Sequence, residues 1–170
     1  MPRSLPDAIG FLLGIWLALA LLLPFAAHGA ETEPAPELAP LEQALHEGAN
    51  RVRSEHHRIA LERRPDLDLV ARAHSTDMAA RRYLAHENPE GESPVDRLQR
   101  GGIRGFSLAG ENAGQTNRAD PVREILEGWQ HSPDHRTNLL APAFNATGVG
   151  VARAADGTLY FVQVYVTFPR

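Results

Sequence analysis

The chain contains no cysteine in 170 residues. That excludes disulfides, thiol catalysis, cysteine-type zinc sites and a lipid-modified leader. Lysine is missing as well, so all 17 basic residues are arginines. Set against 21 acidic residues they leave a formal net charge of −4. A nucleic-acid partner would require a basic face that displaces counterions from phosphate. No arginine block supplies one, and no nucleic acid is expected. The arginines at 51, 53, 63, 64, 72, 81 and 82 alternate with acids or apolar residues and read as solvated helix faces. Hydrophobic residues make up 43% and charged residues 22%, the profile of a globular core rather than of disorder.

The first thirty residues differ from the rest. MPRSLPDAIG carries one arginine and the amino terminus, and FLLGIWLALALLLPFAA follows without a charge. Pro24 and the small residues Ala26, Ala27, Gly29 and Ala30 come next. An n-region, an apolar h-region and a small-residue exit form a secretory signal pattern over residues 1–30. An uncleaved N-terminal anchor is the competing reading, because residues 8–27 approach the about 20 needed to span a bilayer. Under either reading the remainder is extracytoplasmic: secreted, periplasmic or anchored. ETEPAPELAP, residues 31–40, alternates acids with prolines and reads as a linker. A domain over residues 41–170 lacks disulfides and must be stabilised by its core, which about 130 residues can do.

Leu45, Ala49 and Val52 follow Leu41 at helical spacing, fading near Glu55-His56-His57-Arg58. Pro65 opens a second helix reaching about Tyr83, with Leu67, Val70, Ala73, Asp77 or Met78, Ala80 and Leu84 at helical spacing. Ser93 caps a short helix whose Val95 and Leu98 are expected inward, ended by Gly101-Gly102. Residues 103–119 are glycine-rich and read as irregular. Asp120-Pro121 starts another helix with Val122, Ile125, Leu126 and Trp129 as its buried stripe. Pro133 interrupts it, and DHRTNLL is expected to form a short helical turn. GVGVAR and TLYFVQVYVTF are strands joined by an Ala155-Asp156-Gly157 hairpin turn. Helices first and strands last give an α+β class, with helices on a small antiparallel sheet.

The polar candidates stand beside turns and glycines: His86 in AHENP, Glu111 in AGENAGQ, His135 in SPDHRTN. Each is expected in irregular backbone, where functional groups are commonly displayed. Two imidazoles and a carboxylate suffice for zinc or a similar divalent ion, and equally for proton transfer. Spacing alone does not bring the three together. HENPE lacks the second histidine of a zincin motif. Ser132, Asp134 and His135 are too close in one turn to align as a triad. His46, His56 and His57 read as solvated, His74 as a hydrogen-bonded core histidine, and His131 as a solvated helix-end residue.

Four blocks in order, AHSTDMAARRYLAHENPEGESPVDRLQRGGI, AGENAGQ, ILEGWQHSPDHRTNLLAPAFNATGVGVA and YFVQVY, resemble a bacterial member of the CAP superfamily. That group comprises cysteine-rich secretory proteins, antigen 5 and plant pathogenesis-related proteins. The resemblance runs from about Leu41 to the end. It implies an α-β-α sandwich with a large central cleft, where two histidines and two glutamates converge and can hold a divalent metal, often zinc. His86, Glu111 and His135 match three of the four. The second glutamate has no counterpart, since Gln130, His131 and Ser132 follow Trp129, while Glu127 precedes it. The resemblance implies His86 and His135 as metal ligands with Glu111 beside them, and Asn112, Gln163 and His131 are further candidates for supporting the cleft. Asn112 is expected to orient the Glu111 loop, and Gln163 to face either the cleft or the outside. Asp134 is expected to cap the turn that aims His135, and Asn138 to bond local backbone.

Three functions follow in order. The first is a cleft binding a divalent metal and an extracellular lipid, peptide or wall fragment. The second is a metal-assisted hydrolase with Glu111 as general base. The third is a structural or adhesive module with an unused cleft.

Overall fold

The structure is a computed structural model that describes residues 37–169. The leader and residues 31–36 of the linker lie outside the described residues. Five helices and four strands follow in chain order: α1 Ala39–Glu55, β1 Glu62–Arg63, α2 Pro65–Arg81, α3 Pro94–Arg100, β2 Leu108–Thr116, α4 Pro121–His131, α5 Pro133–Leu140, β3 Ala146–Arg153 and β4 Leu159–Thr167. Every helix has a proline in its first two positions, where a missing N–H loses no intrahelical bond. Ala39 and Pro40, at the end of the expected linker, are therefore the first turn of α1.

The sheet order is β1-β3-β4-β2. β3, β4 and β2 are antiparallel, and the two-residue β1 adds a short parallel pairing at one edge. Alternation along β4 divides the core. Tyr160, Val162, Val164 and Val166 pack with Leu67, Val70, Ala71, Met78 and Leu98 of α2 and α3. Leu159 and Phe161 pack with Leu45, Ala49, Ile125, Leu126, Trp129 and Leu139 of α1, α4 and α5. The sheet thus lies between two helical layers, the α-β-α sandwich expected. α2 rests directly on β3: a Cβ on Gly148 would lie 2.1 Å from the Leu67 carbonyl carbon, and one on Gly150 2.2 Å from Arg72 N.

Beyond β1, the outer edge of β3 has no strand beside it among the described residues. Two carboxylates take that place. Asp68 of α2 accepts from Val149 N at 2.7 Å, and Glu42 of α1 accepts from Val151 N at 3.3 Å. Arg63 and Arg72 bridge the two acids, with Arg63–Glu42 at 2.8 Å, Arg63–Asp68 at 3.0 Å and Arg72–Glu42 at 2.7 Å. Burial pushes the Asp68 carboxyl upward, against the hydrogen bonds from Val149 and Arg63.

Several expectations change. Residues 108–116 are not irregular but a nine-residue strand, because their backbone pairs with β4 along its whole length. Small side chains there admit close packing: Gly114 faces Ile125 and Trp129, and Gly110 faces Asn138 and Phe144. Arg53, Arg63 and Arg72 are not on solvated faces. Arg53 is fully buried and donates to the carbonyls of Ile59, Leu139 and Ala141. In α3 the inward pair is Arg97 and Leu98, while Val95 is exposed. In α2 the buried face runs through Leu67, Ala71, His74, Ser75 and Met78, leaving Ala73 and Ala80 exposed; Leu84, past the end of the helix, is exposed as well.

Candidate functional site

β2 carries the centre of the site. Glu111 and Asn112 are neighbours in one strand, so they point to opposite faces of the sheet. Glu111 turns toward the α2–α3 layer and is almost fully buried. Its Oε1 accepts from His86 Nδ1 at 2.9 Å, and its Oε2 accepts from Arg97 at 2.8 Å. Asn112 turns toward α5, where its amide donates to the main-chain carbonyl of His135 at 2.9 Å and to Tyr165 Oη at 3.1 Å. The two faces meet across β2, the edge strand of the sheet: the rings of His86 and His135 have centroids 6.1 Å apart in an edge-on arrangement. The sequence-predicted trio is therefore brought together.

The three residues arrive from a loop, a strand and a helix, not from irregular backbone throughout. Only His86 lies in a loop, between α2 and α3; Glu111 is in β2 and His135 is in α5. Ser132 ends α4 and is the N-cap of α5, with extended φ/ψ of −90° and 122°. Asp134 lies within the first turn of α5 and does not cap it. His135, one position further, is aimed by that break and lies beside Trp129, at 6.4 Å between centroids. Trp129 itself is anchored by donating from Nε1 to Ala113 O at 3.1 Å.

Gln163 faces neither the cleft nor the outside. It is fully buried, donating to Thr147 Oγ1 at 3.1 Å and accepting from Tyr165 Oη at 2.9 Å. Thr147 donates in turn to Val164 O at 2.7 Å. Asn138 donates to Asn112 Oδ1 at 3.1 Å and to Glu111 O at 3.0 Å. Asn138, half-buried, joins the buried Asn112, Tyr165, Gln163 and Thr147 in one hydrogen-bonded chain, which gives the His135 backbone a fixed seat. His131 remains exposed at the end of α4 and bonds its own helix through Nδ1 to Glu127 O at 2.7 Å. Glu127 lines a separate groove between α1 and α4, so it does not complete a tetrad.

The histidines are electrostatically distinct. The hydrogen bond to Glu111 raises the His86 pKa above 6.5, more than burial lowers it. Burial lowers that of His135, and the neighbouring His86 lowers it further. His74, as expected, is a core histidine. Its Nε2 donates to Ala85 O at 2.9 Å, and burial lowers its pKa despite Glu111 Oε1 at 3.8 Å. His135 lines a groove of about 380 Å³ with Leu84, Ala113, Gln115, Glu124 and Trp129.

Arg97 and Glu124 are the site residues that sequence reasoning missed. Arg97 follows a Ser-Pro cap and could have been found from its place next to buried Leu98. Glu124 had no signal beyond its position in an amphipathic helix.

Comparison with known proteins agrees with this layout. Residues 47–165 match the model of the cysteine-rich secretory protein family, CAP. The uncharacterized protein YkwD of Bacillus subtilis is 34% identical over 90 residues, which cover 53% of this chain and 34% of that protein. An extracellular protein containing an SCP domain from Bacillus anthracis superposes with a TM-score of 0.67 at 31% identity, over 80% of this chain and 45% of that one. An outer surface protein of Borrelia burgdorferi shares the fold, with a TM-score of 0.71 at 18% identity over 78% of this chain and 96% of that one. The chain thus spans about a third of the YkwD sequence it matches and under half of the Bacillus anthracis chain. With most of the folded region inside the matched segment, the chain belongs to the cysteine-rich secretory protein (CAP) family, as a member without cysteine.

Proposed function

We propose that this protein is an extracytoplasmic binding domain whose groove takes a ligand beside His135, with His86 and His135 together able to hold a divalent ion such as zinc. The carrying observation is the His86–His135 juxtaposition at 6.1 Å between ring centroids, with Glu111 bonded to Nδ1 of His86. A carboxylate behind an imidazole is a recurrent support for metal-ligating histidine. No group of three or more His, Asp or Glu side chains able to hold a metal occurs among the described residues. The chain therefore offers two imidazoles, and the remaining positions would be filled by water or by the ligand. A bound ion would supply an electrophilic anchor for donor atoms of that ligand. A lipid, peptide or wall fragment outside the cell would be the partner.

Export is supported by the apolar leader pattern and by the extracellular protein from Bacillus anthracis to which the chain is similar. No helix among the described residues is long and apolar enough to cross a membrane.

A hydrolase with Glu111 as general base is less well supported. Both Glu111 oxygens already accept hydrogen bonds, and its side chain is 1% exposed. It is placed to hold His86 rather than to take a proton from water.

Calorimetric titration of the protein with zinc tests the proposal. One zinc per chain is expected, lost in His86→Ala/His135→Ala. Equal uptake by that double variant would remove the metal site. If alanine at His86, Glu111 and His135 alters no binding, the module is structural.

A further inference from the structure

We propose that Arg97 is a positioning residue that sets the tautomer of His86, acting through Glu111, so that Nε2 is the acceptor nitrogen of that ring. A carboxylate only accepts, so the 2.9 Å contact makes His86 Nδ1 the donor and leaves the lone pair on Nε2 in the neutral ring. Glu111 alone does not fix this arrangement, because a glutamate side chain has three rotatable bonds. Its second oxygen is held by an Arg97 terminal nitrogen at 2.8 Å. The same nitrogen donates to the main-chain carbonyl of His86 at 2.9 Å, and the other terminal nitrogen to Glu92 O at 2.8 Å. One guanidinium thus grips His86 at both ends: its backbone directly, and its ring through Glu111.

Two further observations point the same way. Arg97 is buried, and its Nε has no hydrogen-bond partner. Its place is thus dictated by the two terminal nitrogens and not by full satisfaction of the side chain. The start of α3 is also locked. Ser93 and Asp96 form a reciprocal capping box, which fixes the helix one residue before Arg97. His74, the other imidazole near Glu111, is committed elsewhere, since its Nε2 donates to Ala85 O. Lysine cannot substitute, because a single ammonium lacks the planar fork that spans three acceptors. The inference goes beyond the proposed metal and ligand site, because the tautomer is set with or without an ion.

Long-range ¹H–¹⁵N spectra of the metal-free protein at alkaline pH read the tautomer of each neutral imidazole, with His86 assigned by its loss in His86→Ala. Wild-type His86 is expected as a single Nδ1–H form. Arg97→Gln is expected to give a mixture in which the Nε2–H form becomes the majority. His74 should keep its Nε2–H signature in the same spectrum, which reports an intact fold around Ala85. If that signature is lost in Arg97→Gln, then Arg97→Lys decides, with the same mixture expected. An Nε2–H form of His86 in the wild type overturns the proposal, as does an unchanged Nδ1–H form in a folded Arg97 variant. Failure of the wild type to take up zinc would sink the metal reading alone and leave this result standing.

Discussion

Replacing Glu42 with alanine should unfold this protein far more readily than its position on a surface helix suggests. The Glu42 carboxylate is fully buried and accepts four hydrogen bonds: Arg72 at 2.9 and 2.7 Å, Arg63 at 2.8 Å and Val151 N at 3.3 Å. Removing it leaves the Val151 amide without an acceptor at the sheet edge, worth about 1–3 kcal/mol. Arg63 and Arg72 lose this acid but keep Asp68, at 3.0 and 3.7 Å. Breaking a buried ion pair by deleting one partner typically costs about 3–5 kcal/mol, and Glu42→Ala should fall in that range. For a domain of this size that is roughly a 10–15 °C fall in Tm. Glu42→Gln keeps an acceptor for Val151 and should lose roughly half as much. Urea unfolding is the assay, with the midpoint falling at constant m. Raising the salt should change the difference little, since a buried pair is weakly screened. A loss below about 1 kcal/mol, the range of an exposed ion pair, would refute the claim that Glu42 closes the edge of β3.

Two glycines should respond in opposite directions to alanine. At Gly150 the new Cβ meets the α2 backbone at 2.2 Å, so Gly150→Ala should destabilise by about 1–3 kcal/mol or more. At Gly128 nothing lies within 4 Å, and Gly128→Ala should stabilise α4 by up to about 1 kcal/mol in the same urea measurement. The histidines should titrate apart in NMR, His86 above 6.5 and His135 below it; the reverse order would deny the Glu111 contact. Their effects on stability have opposite signs. The His86 contribution is present below 6.5 and lost as pH rises through its raised folded value. Those of His74 and His135, whose folded values are lowered, are lost as pH falls from 6.5 through those values. His74→Gln, whose amide can still donate to Ala85 O, should flatten the loss of unfolding free energy below pH 6.5. An unchanged slope would place that loss elsewhere.

Local signals in the chain were sufficient for the starts of α2, α3 and α4, because proline at N1 and Ser93 or Asp120 before it are short-range effects, whereas α1 begins two residues earlier, inside the expected linker. The β3–β4 hairpin was equally plain in its branched and aromatic runs around Gly157, whose φ is +89°. β2 was not, since AGENAGQ carries little strand propensity and is held extended by nine register pairs with β4. The candidate site divides in the same way. The turn at Ser132-Pro133 could be read from proline alone. The place of Arg97 beside inward Leu98 was legible, but its partners and the burial of Arg53, Arg63 and Arg72 were not, because charge pattern says nothing of partners distant in sequence.

Composition and local stereochemistry by themselves determined that this is a cysteine-free α+β domain stabilised by its core, with His86, Glu111 and His135 as its polar candidates. Only the tertiary structure decided that the three meet, that Glu111 serves His86 and Arg97 at once, and that Gln163 belongs to the interior. The physical reason is that helix caps and turns are settled within a few residues. A buried carboxylate takes its role from whichever donors folding delivers, here from His86 and Arg97, 25 and 14 positions away.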